Sequence, residues 1–156
     1  MSEHTARVRW RRGDAPFTDR RYSRAHEWAF DGGAVVAAAA SPLVVRPAYT
    51  DPAGVDPEEA FVAALSSCHM LFFLSFAAER GFVVDAYDDD ARGLLAPGAD
   101  GRVAFASVTL RPAVRFAATA APSPAEHVAL HHAAHEACYL ANSVRCPVHC
   151  EPTLVA

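Results

Sequence analysis

The sequence lacks the features that mark several large classes of protein. Basic residues number 14 against 18 acidic ones and the net charge is −4, so the chain has none of the basic excess of a nucleic-acid-binding protein. It contains no internal repeat and no low-complexity tract. Its first residues carry positive charge, but no apolar run with a small-residue cleavage site follows, so no secretory signal is predicted. We therefore expect a cytoplasmic protein that binds no nucleic acid.

The length and composition predict one packed domain. The 156 residues fit the usual size of a single domain, which we expect to span residues 1–156, and 52% of them are hydrophobic. Four cysteines in a cytoplasmic chain indicate free thiols, catalytic groups or metal ligands, because the cytosol keeps ordinary thiols reduced.

One uncharged stretch has nearly the length of a membrane span. Residues 60–78 carry no formal charge over 19 positions, close to the roughly 20 that cross a bilayer. The polar run Ser66-Ser67-Cys68-His69 would lie at the bilayer centre, and Lys or Arg residues do not cluster at either end. We therefore expect a helix enclosed by protein and no association with a membrane.

Start and stop signals define two helices. The first has Asp56 as a cap, Pro57 at the first helical position and Gly81 as its stop, which gives a length of about 36 Å. The second starts at Ser123, with a glutamate three residues on, and is expected to end near Asn142.

The remaining apolar segments read as strands. Residues 31–33 are expected to form a hairpin turn, and residues 41–55 and 96–101 are expected to be loops. The order of elements predicts an α+β fold with helices packed on a mainly antiparallel sheet. The predicted strands are 8–11, 26–30, 34–39, 83–88, 103–110 with a continuation to 116, and 152–155.

Two cysteines lie in the predicted helices. Cys68 is in the middle of the first and Cys138 is in the second. Taken alone, each cysteine would be interpreted as a small buried apolar residue, which is how free cysteine often behaves. The two helices could also bring both cysteines together as a dithiol, which sequence spacing alone does not decide.

Metal ligation is a weaker interpretation of the remaining pattern. His131 and His135 are four residues apart and Cys138 follows three later, so they lie near one face of a helix. A structural zinc protein using His135, Cys138, Cys146 and Cys150 is therefore an alternative, but no second cluster has firm zinc spacing. We expect neither a metal nor another cofactor.

Three stretches resemble the OsmC/Ohr family of hydroperoxide reductases. They run in order from Arg21 to Val144 and cover most of the chain. Cys138 is followed by Tyr139-Leu140 where the organic-hydroperoxide-resistance proteins typically carry Pro-Tyr-Ser, so the chain is more similar to the OsmC-like members. The resemblance implies an intertwined homodimer with active sites at the subunit interface. The stretches are Arg21 to Trp28 with Phe30 to Gly33, Asp56 to His69, and Ala134 to Val144.

The resemblance also implies a role for each site residue. Cys68 would be the peroxidatic nucleophile and Cys138 the resolving thiol. The Cys68 thiolate would attack the peroxide, release an alcohol and become a sulfenic acid. The Cys138 thiol would then capture the sulfenic acid as a disulfide. An arginine paired with a glutamate would hold the thiolate charge. Glu58 matches the glutamate, and Arg24 is favoured over Arg21 for the arginine.

Helix geometry separates two arrangements of this site. Glu58 and Cys68 are ten residues apart, which in a straight helix is about 15 Å and roughly 80° around the axis. Either the helix is broken near Ser66, or the Arg24 and Glu58 pair meets Cys68 of the other subunit. The interlocked dimer of the family favours the second arrangement.

Aromatic residues after Cys68 suggest the substrate class. Part of the set Leu71, Phe72, Phe73 and Phe76 lies on the face of Cys68, although core packing explains most of it. An apolar pocket would favour bulky organic or fatty-acid hydroperoxides over hydrogen peroxide. A dithiol, lipoyl-linked or thioredoxin-like, would restore the enzyme. The rival hypothesis is a thiol-based redox sensor or small-ligand binding protein without efficient turnover.

Overall fold

The computed structural model describes residues 1–155. The chain forms two compact units, Met1–Ala60 and the remainder from Phe61 onward. The expectation of one domain over residues 1–156 stays a prediction. In chain order the elements are β1 (Ala6–Arg9), β2 (His26–Phe30), β3 (Val35–Ala38), α1 (Pro57–Glu79), β4 (Val84–Asp89), β5 (Arg92–Pro97), β6 (Val103–Leu110), β7 (Pro112–Phe116), α2 (Pro124–Ala137), β8 (Val148–Cys150) and β9 (Thr153–Val155).

The first unit contains an antiparallel sheet in the order β1-β2-β3. The predicted turn at residues 31–33 joins β2 to β3, and Gly33 takes a φ of 87°, which favours glycine. The Phe30 N–H donates to the Ala34 carbonyl across this turn, at 3.0 Å. The predicted loop at residues 41–55 contains one short 3-10 turn, Pro47–Tyr49.

Helix α1 begins and ends where local signals predict. The Glu59 N–H donates to Asp56 Oδ1 at 2.7 Å, and the Asp56 N–H donates to Glu59 Oε2 at 3.2 Å, so the two residues close a reciprocal cap. At the other end Gly81 has a φ of 81°, and the Phe82 N–H donates back to the Ala77 carbonyl at 2.9 Å. The helix is unbroken between these signals.

The second unit contains two three-stranded sheets, β4-β7-β9 and β5-β6-β8. Each combines one antiparallel pair with one parallel pair, which β9 and β8 complete. The α+β class predicted from the sequence is confirmed. The single strand expected to continue to residue 116 is wrong, because β6 ends at Leu110 and β7 pairs in the other sheet.

Two strands, β5 and β8, were not predicted from the sequence. Part of β5 lies in a stretch expected to be a loop, and Gly93 within it lacks an apolar side chain to signal a strand. A Cβ at Gly93 would lie 2.5 Å from the Phe105 ring and 2.6 Å from Val62, so only glycine allows this close approach. β8 has three residues, too few to show a period.

Helix α2 starts at its predicted cap but ends earlier than expected. The Ser123 hydroxyl accepts the Glu126 N–H, and Glu126 accepts the Ser123 N–H in return. The predicted end near Asn142 is wrong, and so is the placement of Cys138 inside the helix. Cys138 is the residue that follows α2, and its ψ of 111° takes the backbone out of the helix.

One face of α1 runs through both apolar clusters of the second unit. Leu65, His69, Phe73 and Ala77 are its buried residues, at a spacing of four that aligns them on one side. Phe73 and Ala77 join β7 and α2 in the larger cluster, whereas Leu65 packs with β6. Cys68 and His69 therefore lie between the two packing regions of α1.

Among residues 1–155, α1 is the one helix long and apolar enough to cross a membrane, with a mean hydropathy of 1.8 in its most apolar window. That test rests on length and composition, which a core helix also satisfies. Only 22% of the window is buried within this chain, and Leu71 is 63% exposed. Part of the apolar surface of α1, above all at Leu71, is therefore left uncovered by the chain itself.

Candidate functional site

The structure brings the thiols of Cys68 and Cys138 together. Cys68 is half-buried in the middle of α1, and Cys138 is buried where α2 ends. Burial, followed by the interaction with the Cys68 side chain, raises the pKa of the Cys138 thiol to about 11. Cys138 is therefore protonated at neutral pH and presents a thiol, not a thiolate, to its neighbour. All four cysteines carry free thiols.

Local structure fixes the Cys138 side chain. The chain turns out of the helix at Cys138 and enters a short 3-10 turn, Ala141–Ser143. The Ala141 N–H donates to Cys138 Sγ at 3.4 Å, which partly offsets the rise of its pKa. The neighbouring Tyr139 ring meets the Phe72 ring edge-on at 5.0 Å. Because Phe72 is one helical turn beyond Cys68, this contact ties the two thiol-bearing segments together.

Arg24 is held in place within the first unit. Its Nη1 donates to the carbonyls of Arg20 at 2.8 Å and Tyr22 at 2.6 Å, and its guanidinium lies 4.1 Å from the Tyr22 ring centroid. Arg20 takes a φ of 63°, which is costly for a residue with a side chain and aims its carbonyl at Arg24. Arg24 is thus a positioned cation, not a freely solvated surface charge.

The other candidate arginine is occupied elsewhere. Arg21 Nε donates to Asp19 Oδ2 at 2.8 Å, and the pair is largely exposed. The Arg21 backbone N–H and then its side chain lower the pKa of Asp19. Arg21 is thus engaged in a surface ion pair with a residue two positions away. The geometry therefore favours Arg24 as the candidate site arginine.

Glu58 differs from its neighbour Glu59 in its contacts. Glu59 closes the cap with Asp56, whereas Glu58 is half-buried and is not used by the cap. Within the part of the chain that the structure describes, no ion pair joins Glu58 to Arg24. The unbroken course of α1 removes the alternative of a helix broken near Ser66. The arrangement in which Arg24 and Glu58 act on Cys68 of a second subunit stays a prediction.

Comparisons with known proteins identify the family. The family model described as OsmC-like protein matches residues 50–153. The chain belongs to the OsmC-like family. An OsmC-like protein of unknown function from Vibrio cholerae O1 is 51% identical, with a TM-score of 0.95 over 97% of this chain and 99% of that one. No protein with a curated description matches the sequence.

More distant members share the fold of this OsmC-like protein. The organic hydroperoxide resistance protein OhrB of Bacillus subtilis is 22% identical, with a TM-score of 0.63 over 97% of this chain and 98% of that one. An organic hydroperoxide resistance protein from Elizabethkingia anophelis is 15% identical, with a TM-score of 0.71 over 99% and 96% of the two chains. The resemblance predicted from sequence is confirmed at the level of family and fold.

A second cluster of reactive side chains in this OsmC-like protein lies beside the dithiol. His69 Nε2 lies 3.0 Å from His131 Nδ1, and Cys150 Sγ lies 3.7 Å from each of these nitrogens. His131 Nε2 in turn lies 3.2 Å from His127 Nε2. The three histidines are at most 3% exposed. Sequence analysis weighed His131 and Cys150 separately and missed their meeting with His69.

The buried histidines of this cluster are neutral over the physiological range. Burial is the main cause that lowers the pKa of His69 to about 4 and that of His131 to about 3, and neighbouring histidines add to it. Burial and the carboxylates of Asp89 and Glu151 raise the pKa of the Cys150 thiol to about 12.

A cavity of about 560 Å³ opens on the same cluster of this OsmC-like protein. Its lining includes His131 and Cys150 together with three further histidines, His132, His135 and His149. A small polar molecule or ion therefore has a route to two members of the cluster.

Proposed function

We propose that this OsmC-like protein reduces organic hydroperoxides to alcohols, a peroxiredoxin-like role. The observation that carries the proposal is the pairing of two free thiols from separate elements, Cys68 in α1 and Cys138 after α2. Two sulfur atoms brought together in this way can store the product of one peroxide reduction as a disulfide. The family's distant organic hydroperoxide resistance members, which share the fold, agree with this role.

Exposure assigns different roles to the two thiols. Cys68 is half-buried and can meet a peroxide, whereas Cys138 is 1% exposed and protonated at neutral pH. Cys68, as the thiolate, attacks the O–O bond and takes one oxygen as a sulfenic acid, and the other oxygen leaves as the alcohol after gaining a proton. The Cys138 thiol then condenses with the sulfenic acid, so that a disulfide forms and water leaves.

Turnover requires an external dithiol. A dithiol attacks the Cys68 to Cys138 disulfide, passes through a mixed disulfide, and leaves oxidised itself while both protein thiols are restored. We assign this role to a lipoyl-linked or thioredoxin-like dithiol of the cytoplasm. No metal or organic cofactor takes part in these steps.

The proposed enzyme is a homodimer in which Arg24, paired with Glu58 of the same subunit, stabilises the Cys68 thiolate of the other subunit. Arg24 is positioned by carbonyls and aromatic rings, and Glu58 is left out of the helix cap. The exposed apolar side chain of Leu71 on α1 supports a second subunit, because apolar surface is costly to leave in water. A guanidinium near Cys68 would stabilise its thiolate.

Aromatic side chains beside the thiols support bulky substrates. Phe72 lies one turn beyond Cys68 and contacts Tyr139, the residue after Cys138. A hydroperoxide with an apolar tail can bury that tail against these rings, whereas hydrogen peroxide cannot. We therefore expect organic hydroperoxides to give a higher kcat/KM than hydrogen peroxide.

Mass spectrometry after one equivalent of cumene hydroperoxide tests the proposal. The wild-type protein should lose two hydrogens through a Cys68 to Cys138 disulfide, and Cys138→Ser should trap an oxidised Cys68. Cys68→Ser should lower dithiol-dependent turnover by roughly 10³-fold or more, as expected when a nucleophile is removed. Cys146→Ser, which changes a half-buried cysteine of the same chain, is the matched control and should keep full turnover.

Two outcomes would contradict the proposal. Full turnover by Cys68→Ser would remove the nucleophile from the mechanism. A single stoichiometric oxidation of the wild-type protein, without catalytic consumption of peroxide when a lipoyl dithiol or thioredoxin is supplied, would instead favour the redox sensor.

A further inference from the structure

Three potential ligand atoms converge in the second unit from three different elements. His69 is in α1, His131 is in α2 and Cys150 ends β8. Their side-chain donor atoms all lie within 4.8 Å of one another. Residues 62 and 81 positions apart in the chain thus meet at one point in the fold.

The spacing of these atoms matches a transition-metal site. The sides of the triangle are 3.0, 3.7 and 3.7 Å. A triangle with these sides has a point about 2.0 Å from each corner, close to the usual Zn–N distance of about 2.0 Å and Zn–S distance of about 2.3 Å. Only small side-chain movements would be needed to seat an ion.

Core packing alone does not explain why these three polar side chains lie together. His69 is 1% exposed and its Nδ1 has no hydrogen-bond partner among the described residues. A buried polar atom without a partner costs free energy that an apolar side chain of similar size would avoid. Phe73 stacks on the His131 ring at 4.2 Å, so the surroundings would accept such a side chain. The polar cluster therefore calls for a binding role.

The neighbouring histidine supports a ligating orientation of His131. His131 Nδ1 faces His69 and Cys150, while its Nε2 lies 3.2 Å from His127 Nε2. If His131 donates its Nε2 proton to His127, the lone pair on Nδ1 is free for an ion. Metal-ligating histidines almost always use their other ring nitrogen in this way, which fixes the tautomer and the ring.

The cavity provides access and a fourth position. It is lined by His131 and Cys150, so an ion can enter from it, and a water molecule or a small ligand can complete a tetrahedral shell. Two imidazoles and a thiolate select borderline or soft ions such as Zn²⁺, whereas Mg²⁺ and Ca²⁺ prefer oxygen ligands.

We propose that His69, His131 and Cys150 bind one transition-metal ion of the Zn²⁺ type, with a fourth coordination position open to the cavity. Cys150 binds as the thiolate and releases its proton to solvent. The site shares no residue with the dithiol and does not depend on hydroperoxide reduction. Bound metal links α1, α2 and β8, so it should also raise the melting temperature.

Zinc titration of the full-length protein tests the site. The protein is reduced, stripped with a chelator and titrated with Zn²⁺ by isothermal calorimetry, and bound zinc is counted by elemental mass spectrometry after dialysis. The expected result is one Zn²⁺ per wild-type chain and background zinc in Cys150→Ser. Cys146→Ser, a cysteine four residues away outside the cluster, is the matched control and should keep one Zn²⁺.

The dithiol is a possible second source of zinc binding, so the titration is repeated on the Cys68→Ser, Cys138→Ser double variant. One Zn²⁺ per double-variant chain supports the proposal, whereas loss of zinc there assigns the binding to the dithiol and overturns it. Retention of stoichiometric zinc by Cys150→Ser, or no zinc in the wild-type protein, also overturns it.

A cobalt spectrum gives a readout that does not require the Cys150 variant to fold. Co²⁺ added to the folded wild-type protein and to the double variant should produce a thiolate-to-metal charge-transfer band together with the visible bands of a tetrahedral ion. Absence of the charge-transfer band from the double variant would overturn the proposal, because Cys150 would then not be a ligand.

Discussion

Two adjacent residues of α1, Cys68 and His69, have different surroundings. Cys68 is half-buried beside the Cys138 thiol, whereas His69 is fully buried against His131 and Cys150. Successive helix positions point about 100° apart, so one turn of α1 contributes a side chain to the dithiol and another to the histidine cluster. The region around Cys68 is open to a small oxidant, and the region around His69 is part of the core. Adjacent positions of one helix can therefore present a thiol to an oxidant and a buried imidazole to the core, because they face different surroundings.

The thiols of Cys138 and Cys150 differ in the same way. Burial is the main cause that raises the pKa of Cys138 to about 11 and that of Cys150 to about 12. The next cause differs, because Cys138 has the Cys68 side chain beside it and Cys150 has the carboxylate of Asp89. Cys138 thus has a sulfur partner for disulfide formation, whereas Cys150 has imidazoles and would form a thiolate only with a cation.

Phe73 supports the histidine cluster next to His69, and its removal should change stability more than any other substitution considered below. Phe73 is fully buried, stacks on His131 at 4.2 Å and meets Tyr87 and Phe116. Phe73→Ala should lower the free energy of unfolding by about 3–5 kcal/mol, because it removes apolar contacts and leaves a cavity. Urea denaturation of the metal-free protein measures this change.

Ser75→Ala is the control for Phe73→Ala because it changes an exposed position of the same helix. It should alter the free energy of unfolding by no more than about 0.5 kcal/mol. A loss under about 1 kcal/mol in Phe73→Ala would show that the region around His69 and His131 is loosely packed, and the contrast with the dithiol region would disappear.

Local signals explain what the sequence predicts well. Asp56 and Gly81 set the bounds of α1 through caps that involve only neighbouring residues. The strand His26–Phe30 was predicted with its observed bounds, and Val103 was predicted as the start of β6. The family resemblance singled out Cys68 and Cys138, and spacing alone left their meeting open.

Long-range contacts explain what the sequence does not predict. The histidine cluster joins residues 62 and 81 positions apart, and no local pattern reports on such a meeting. Helix α2 ends at Cys138 without a glycine or proline to mark the place, so its end was predicted several residues too late. Tertiary packing decides both features, because the Cys138 backbone turns where its side chain is buried beside Cys68.

Alkaline pH should lower the free energy of unfolding through ionisation of Cys138. Cys138 has a pKa of about 11 in the folded protein against an ordinary value of 9.0, so the folded state holds this proton more tightly than the unfolded state. Its contribution to stability is complete below pH 9 and is lost as the pH rises towards about 11, by up to about 1.4 kcal/mol per pH unit. Urea denaturation at intervals from pH 8 to 11 measures the slope.

The slope should be shallower in Cys138→Ala than in the wild-type protein, and Cys146→Ala should match the wild type. Cys150 adds to the same decline from about pH 9 upward, since burial raises its pKa from the same ordinary value of 9.0 to about 12. The comparison between variants therefore isolates the share of Cys138. Equal slopes in all three proteins would show that Cys138 is not shielded as the structure implies.

The smallest expected effects separate Glu58 from Glu59 at the start of α1. Glu59 closes the cap with Asp56, so Glu59→Ala should cost about 0.3–1 kcal/mol of stability and leave turnover unchanged. Glu58→Gln removes a charge near the same helix end and should cost a similar amount of stability. Only Glu58→Gln should also lower kcat/KM for an organic hydroperoxide, by about tenfold, which is about 1.4 kcal/mol of transition-state free energy.

The two variants share a helix end, a residue type and a loss of charge, so a difference in turnover between them cannot come from the helix dipole. If Glu58 acts on Cys68 through Arg24 of a second subunit, Arg24→Lys should lower kcat/KM as well, since an ammonium lacks the planar donors of a guanidinium. Equal turnover in Glu58→Gln and Glu59→Ala would leave Glu58 as a second dipole charge, and the cationic support of Cys68 would then have to come from another residue.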